Sequence, residues 1–484
     1  MNNTIAIKAL IDIGKKCRAF KTRENRIYVA IGKYAIDVDS AEFAQYLIKE
    51  YIRDNDEIVN KPLVDNAIYN LRNGYWSPDS QNIHIRYAHT SEGIIVDIDH
   101  ETDVLEISES GVRQIKEGSG LFIRKQQNLP LSGLVDNPDF ELLYKYINVK
   151  EEDLALIAEF LVSCMRSEPP YPILHISGPA GSGKTTITKL IKAIIDPEEN
   201  PLRSSPKTVE DLKVSAHNTF LLALDNSSSI TRDFSNALCV IATGGTNSGR
   251  KLYTNNEEVA VDISRPVIIN GLSSRVEFED LAQRCRFIEL DAISNHRKSA
   301  TIINEFMADL PRIRMALYNA ISESLSDNDF FNFRAITRLA DVEAFAIPAL
   351  ISLGINIDSY KKALWRTKEK SLGGQAERIV IQALVSILEN EGRFEGSTNK
   401  LVSKLEEAID DNDDIMTSVT SDLRKLLNPR NISKFLINSI YRKHKGIEID
   451  RQRTSSTRTL LITWNNNNHY IKSDIENDLS ELFE

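Results

Sequence analysis

The spacing of apolar positions changes character several times along the chain. Short alternating runs at residues 26–31, 82–87 and 93–98 predict strands, and Phe43, Tyr46, Leu47 and Tyr51 recur at helical spacing within residues 40–52. Residues 1–135 therefore read as one small α+β domain, closed by a linker at 126–138 that carries Pro130, Gly133, Asn137 and Pro138. Helical patterning follows at Phe140 and again over 151–166, where Leu154, Ile157, Ala158 and Leu161 share a face. Apolar strands are then predicted at 173–177, 220–224, 266–270 and 287–290, separated by helical or polar stretches. Strands alternating with helices predict an α/β core with a largely parallel sheet over 136–298. The periodicity is helical from 299 to 392. Residues 393–465 end in helix, turn and hairpin signals, and 466–484 form an acidic tail.

Composition narrows the classes. At 484 residues the chain is long enough for several cores, and 42% hydrophobic with 26% charged residues matches ordinary globular usage. No apolar run reaches the ~18 residues of a membrane span, and residues 1–12 lack the features of a secretory signal, so a cytoplasmic protein without membrane contact is expected. Cys17, Cys164, Cys239 and Cys285 are too scattered for a zinc site or a disulfide framework and read as core thiols or bystanders. The net charge of -10 conceals a local reversal, because ten basic residues between Arg424 and Arg458 face only Glu448 and Asp450. A basic module on an acidic chain points to local contact with nucleic acid.

The strongest chemical signal is Gly178-Pro179-Ala180-Gly181-Ser182-Gly183-Lys184-Thr185, which satisfies G-x-x-x-x-G-K-[ST] between a predicted strand and a predicted helix. Glycines there let backbone N–H groups converge on phosphates at a helix N-terminus. Lys184 can reach the β and γ phosphates, and the Thr185 hydroxyl can ligate magnesium. The acid expected on the magnesium side is Asp225, at the end of the strand predicted over 220–224, although Asp225 also suits a turn through Asn226 and Ser229. Asn226 stands where many hydrolytic ATPases carry a water-polarising glutamate, and an amide is a poor base. Glu257 and Glu258 are the nearby candidates for that carboxylate.

Three further features have two readings each. Asn270 ends a strand, where it can hold a lytic water or simply make a turn. Arg284 precedes another strand as a surface charge or as a guanidinium acting on a neighbour's phosphate. Residues 249–261 form a hairpin about Asn255 and Asn256, with Arg250 and Lys251 at its base, either solvated or gripping phosphates. The acid pairs Asp37/Asp39 and Asp97/Asp99 resemble primase metal ligands, but without a matching histidine they read as half-exposed strand carboxylates.

Together the runs 178–186, 218–226, 238–253 and 265–271 and the segment Leu281-Ala282-Gln283-Arg284 resemble the AAA+ ATP-binding proteins of phages, prophages and related mobile elements. Those proteins resemble superfamily 3 and minichromosome-maintenance-like replicative helicases. The resemblance implies a P-loop ATPase core binding ATP and Mg2+ through residues 178–186, Thr186 included. It implies a homo-oligomeric ring, a hexamer, working on single-stranded or forked DNA, with a primase or another replication protein as a candidate partner. It makes Lys184 and Thr185 the Walker A pair, Asp225 the Walker B acid, Asn270 sensor 1, Arg284 the arginine finger and Lys251 part of a DNA-gripping hairpin. Asn226 departs from the acidic pair of well-studied superfamily 3 motors.

The C-terminal pattern bears on the substrate. Asn428 and Pro429 open a helix expected to run to about His444, followed by strands over 447–453 and 457–464. This reads as a winged helix in which Lys434, Arg442, Arg451 and Arg453 contact DNA, or as a basic module that docks protein. The function these features imply is an ATP-dependent DNA helicase or translocase of a mobile element, acting in its replication. The alternative is a nucleotide-gated DNA-binding or phage-defence switch without processive unwinding, which Asn226 keeps open. A small-molecule kinase is disfavoured by the basic C-terminal module.

Overall fold

The computed structural model describes residues 3–22, 26–75, 79–98, 103–125, 127–227, 230–244, 246–250, 258–262, 264–271, 276, 278–293, 297–326, 334–371, 375–410, 423, 426–436, 447–453 and 458–464. The chain parts into two compact units, Met1–Lys368 and Glu369–Glu484. The architecture is mixed α/β, with one parallel sheet and several antiparallel ones. Among the described residues no helix is long and apolar enough to cross a membrane.

The strands of the N-terminal region divide between two sheets. Helix α1 (Asn3–Lys15) begins the chain, a helix the sequence reading did not foresee. Its buried Ala6, Leu10, Ile11 and Ile13 line one face at helical spacing, although the first twelve residues look alternating in sequence. Strands β1 (Ala19–Lys21), β2 (Ile27–Ile31) and β3 (Tyr34–Asp37) lead into α2 (Ala41–Asn55), capped where Phe43 N donates to Ser40 Oγ at 3.2 Å. Helix α3 (Lys61–Asn70) and β4 (Asp79–Ser80) complete a sheet of order β3-β2-β1-β4. The second sheet is a meander of β5 (Tyr87–Thr90), β6 (Gly93–Asp97), β7 (Asp103–Ser108) and β8 (Gly111–Lys116). Lys33, fully buried between β2 and β3, joins the two sheets. Its Nζ lies 2.8 Å from Asp97 Oδ1, donates to Asp103 O at 3.0 Å and also donates to Ile98 O. Period-two alternation marks a strand but carries no information about which sheet it joins.

Helix α4 (Glu151–Ser163) precedes the central sheet. Strands β9 (Ile173–Ser177), β10 (Arg203–Ser204), β11 (Leu222–Asp225), β14 (Val267–Asn270) and β15 (Cys285–Glu289) lie in the order β10-β11-β14-β9-β15, and every pairing is parallel. Both faces are covered, which is why these strands are nearly continuous apolar runs. Leu174, Ile176, Ala223, Ile268 and Ile288 face a core shared with α4, α5 (Lys184–Ile195), α9 (Ser299–Ser326), α10 (Ala340–Ser352) and the meander. Ile173, Leu222, Leu224, Val267, Ile269 and Phe287 face the other core, with α6 (Val209–His217), α7 (Arg232–Thr243) and α8 (Glu279–Ala282). The hairpin β12 (Thr246–Arg250) and β13 (Glu258–Asp262) stands between α7 and β14 in the chain, and α11 (Ile357–Ser371) closes the unit. All four cysteines are buried and free.

In the second unit, α12 (Gln375–Glu391), which the sequence groups with the preceding helices, contributes Val380, Leu384 and Leu388 to a core with Phe394, Leu401, Leu405, Ile432 and Ile462. Its sheet joins β16 (Arg393–Gly396), β17 (Ile447–Arg453) and β18 (Arg458–Trp464) in the antiparallel order β16-β18-β17. Helix α13 (Thr398–Asp410) and the short helix α14 (Pro429–Phe435) pack beside it, α14 being capped by Asn428, whose side chain accepts from Arg430 N at 3.0 Å. Residues 437–444 of the helix expected to reach His444 lie outside the described residues.

Candidate functional site

The parallel register brings three strand ends to one level. Leu224 pairs with Ile269, and Asn270 pairs with Ile176, so Asp225, Asn270 and the loop after Ser177 emerge together at the carboxyl edge of the sheet. That edge is where ligands settle in parallel α/β sheets. Gly178 opens the loop at φ +147°, where a Cβ would come within 2.6 Å of Leu290 O. Gly183, at φ +90°, is the N-cap of α5 and supplies no side-chain cap, leaving the first N–H groups of α5 to whatever sits before them. Pro179, Ala180 and Gly181 form the exposed crest, Ser182 is buried and Thr186 is half-buried.

Lys184 curls under this crest. Its Nζ donates to Gly178 O at 2.8 Å and to Pro179 O at 2.7 Å, and stands 3.5 Å from Ser182 Oγ. Burial lowers its pKa from the usual lysine value, and the Asp225 carboxylate works against that shift. The exposed Thr185 Oγ1 donates to Asp225 Oδ1 at 3.1 Å, so a hydroxyl and a carboxylate stand together as two hard oxygen groups. Magnesium suits such a pair, since it binds through one or two carboxylates and completes its shell from phosphates and water. Among the described residues there is no cluster of three or more His, Cys, Asp or Glu side chains that would form a separate metal cage.

A cleft of about 580 Å³ opens beside the loop. Its walls include Tyr146, Ile147, Asn148, Ile293 and Ile302. Arg297 also lines it, paired to Glu305 at 2.6 Å. The sequence reading named none of these residues. They arrive from segments well before and well after the loop, and no local pattern announces that they meet there.

Asn270 is 1% exposed and fully engaged by the protein. Its Oδ1 accepts from Asn226 N at 2.8 Å, its Nδ2 donates to Thr188 Oγ1 at 2.9 Å, and Thr188 Oγ1 donates to Lys184 O at 2.8 Å. It thereby ties the end of β11 to the first turns of α5. Asn226 sits at φ +58° in the left-handed region, which asparagine tolerates better than most residues. This backbone gives a physical reason for an amide in place of a glutamate at that position.

Arg284 lies at the opposite edge of the sheet. Cys285 pairs with Ile173 at the start of β9, whereas the loop begins after Ser177 at its end. At about 3.3 Å per residue the two are separated by roughly 20 Å, so Arg284 cannot serve its own loop. Its side chain is 13% exposed, its Nη1 donates to Asp280 O, and its buried Nε has no hydrogen-bond partner among the described residues. Of the proposed DNA contacts, Arg250 lies on β12 opposite Glu258, Lys434 on α14, and Arg451 and Arg453 on β17 opposite Leu460 and Arg458. Lys251, Arg442 and Glu257 lie outside the described residues. Three of the four acids in the primase-like pairs face cations: Asp37 lies 3.8 Å from Arg26, Asp39 2.9 Å from Arg72 and Asp97 2.8 Å from Lys33. Asp99 lies outside the described residues.

A family model described as actinomycete integrative conjugative element replication protein matches residues 140–344, a stretch that contains the loop, Asp225, Asn270 and Arg284. No curated protein matches the chain. Among solved structures, the apo C-terminal region of NrS-1 is similar at 12% identity and a TM-score of 0.43, covering 94% of this chain and 97% of that one. Two A-form apo structures of the same region align at 14% and 12% identity, with TM-scores of 0.43 and 0.44, each covering 94% of this chain and 98% of that one.

Proposed function

We propose that this chain is an ATP-dependent motor that acts on DNA in the replication of a mobile element, working as a homo-oligomeric ring. The observation that carries the reading is the convergence of the glycine-rich loop, Lys184 and the Thr185–Asp225 pair at one edge of a parallel sheet. In this reading residues 136–298 are an AAA+ P-loop core, and the C-terminal unit is a winged helix that holds DNA through its basic residues. The similarity of residues 140–344 to replication proteins of integrative elements supports the setting.

The chemistry follows from the side chains present. Loop N–H groups and Lys184 hold the β and γ phosphates. Magnesium, held by Thr185 and Asp225, supplies charge neutralisation when bound. Water attacks the γ-phosphorus, the bond from γ-phosphorus to the bridging oxygen breaks with its electron pair going to ADP, and a proton leaves with inorganic phosphate. Asn270 Oδ1 holds the Asn226 backbone N–H, and an amide side chain at position 226 orients water without taking its proton. With no acid at position 226, a slow, gated turnover is the second reading, in which ATP controls DNA binding rather than unwinding.

The test is ATP turnover and strand displacement on forked DNA by the wild type and by Lys184→Ala. DNA-stimulated turnover and unwinding, both reduced by at least about 100-fold in the variant, support the motor. Nucleotide-dependent duplex binding without unwinding selects the switch. Absence of nucleotide binding by the wild type rejects both.

A further inference from the structure

Resting on that reading, we propose that Arg338 joins Arg284 in a two-guanidinium clamp for the terminal phosphate of a nucleotide held by the loop of a second copy of this chain, with Asp280 as the resident anion that the phosphate displaces. The carrying observation is a convergence on one oxygen. Arg284 Nη1 and Arg338 Nη1 each lie 3.8 Å from Asp280 Oδ1. Asp280 is 82% exposed and Arg338 44% exposed, while Arg284 is 13% exposed, so Asp280 and Arg338 open the site outward from a largely buried Arg284, and its ion pairs are long and weak. A carboxylate oxygen held loosely between two forks marks where a phosphate oxygen can sit with shorter, charge-assisted hydrogen bonds.

Arg338 is held by a rigid support. Beneath it, Arg286 is fully buried, with Nε and Nη2 each 2.7 Å from Glu159 oxygens and Nη2 3.5 Å from Glu343 Oε1. Glu343 in turn accepts from Ile336 N at 2.8 Å and Thr337 N at 3.0 Å, and Thr337 Oγ1 accepts from Leu339 N at 3.2 Å. The residues on both sides of Arg338 are thus fixed by buried polar groups, and its own Nη1 donates to Gln283 Oε1 at 3.0 Å. Locked supports of this kind place a group to within a fraction of an ångström, as phosphoryl transfer requires.

Two features favour a second copy as the partner. The clamp stands at the amino edge of the sheet, out of reach of its own loop, so any phosphate it meets belongs to another molecule. Two guanidiniums converging on one position also suit a single terminal phosphate better than a nucleic-acid backbone, which is tracked by cations spread along a groove. In the transition state the clamp neutralises charge on the γ-phosphoryl oxygens while water adds and ADP departs.

The experiment measures ATP turnover against protein concentration for the full chain. Arg338→Ala is expected to lower kcat at least about tenfold with little change in KM or in DNA affinity, and Arg338→Lys to fall between, since it keeps the charge and loses the fork. Mixing Arg338→Ala with Lys184→Ala is expected to restore turnover above either alone, because a mixed interface pairs an intact loop with an intact clamp. Asp280→Asn is expected to reach half-maximal turnover at lower protein concentration. Unchanged turnover in Arg338→Ala, or no rescue on mixing while the wild type is active, overturns the clamp. Weakened DNA binding with intact turnover overturns it in favour of a nucleic-acid site. An unchanged or higher concentration requirement in Asp280→Asn overturns the role of Asp280. A wild type that hydrolyses no ATP at any concentration rejects the motor reading itself, and the clamp with it.

Discussion

The two edges of the central sheet are equipped oppositely. At the carboxyl edge, the glycine-rich loop, Lys184 and Thr185 line an open cleft, and Thr185 meets Asp225; α5 runs from there to the amino edge, where its far end is pinned against the start of β11 by a buried ionic cluster. Lys192 Nζ lies 2.6 Å from Asp196 Oδ2 and 3.0 Å from Glu198 Oε1, while Arg86 Nε lies 2.9 Å from Asp196 Oδ1. Burial works against the Asp196 charge, yet Lys192 and Arg86 hold its carboxyl well below the usual range. Also at the amino edge, the exposed Arg338 and the largely buried Arg284 stand over an equally buried cluster of Arg286, Glu159 and Glu343. Under the proposed function, the groups at the two edges are set by ligand chemistry, and the charges behind them are buried where only precise pairing makes burial tolerable.

Removing one charge from each buried cluster tests this division with the largest expected effects. Lys192→Met leaves Asp196 and Glu198 short of a cation, and Glu159→Ala leaves Arg286 under-compensated. Each should lower the unfolding free energy by about 3–5 kcal/mol in chemical denaturation. At matched temperatures below the transition, Lys192→Met should weaken nucleotide binding, whereas Glu159→Ala should spare binding and lower turnover. Equal effects on binding would erase the distinction between the cluster on the loop's own helix and the cluster under the arginines.

A smaller change sharpens the carboxyl edge alone. Asn270→Ala strips partners from Asn226 N and Thr188 Oγ1 and should cost about 1–3 kcal/mol by thermal or chemical unfolding. Asn226→Ala should cost about 1 kcal/mol because of the left-handed backbone, and Asn226→Gly close to nothing. Turnover by Asn226→Gly then isolates the amide, since the backbone is kept. A stable variant with wild-type turnover removes the water-orienting role.

The mildest effect belongs to neither edge. Burial pushes His84 and His89 down to about 4, with Arg265 adding to the shift at His84 and His84 at His89. An unfolded histidine takes its proton near 6.5. Between pH 6.5 and 4 the unfolded chain therefore binds more protons, so stability is full above 6.5 and falls as pH drops through that window. Melting temperatures from pH 7 to 4.5 should fall less steeply in a His84→Gln, His89→Gln double variant. Parallel curves would mean that other groups govern the loss.

What the sequence by itself determined is what is local. Gly178 to Thr185 announces a strand-to-helix loop, because such a turn needs glycines at fixed spacing, and Asp225, Asn270 and the hairpin β17–β18 follow from apolar runs ended by polar residues. The capping of α14 by Asn428 is equally local. Only the tertiary structure decided what depends on partners distant in the chain. It divided the N-terminal strands between two sheets, placed Ile147 and Ile293 beside the loop, engaged both ends of the Asn270 amide, and carried Arg338 from the segment after α9 to the side of Arg284. Alternation and helical spacing report which side of an element is buried, but not against what, because burial is satisfied by any apolar neighbour that the register and the crossings happen to supply.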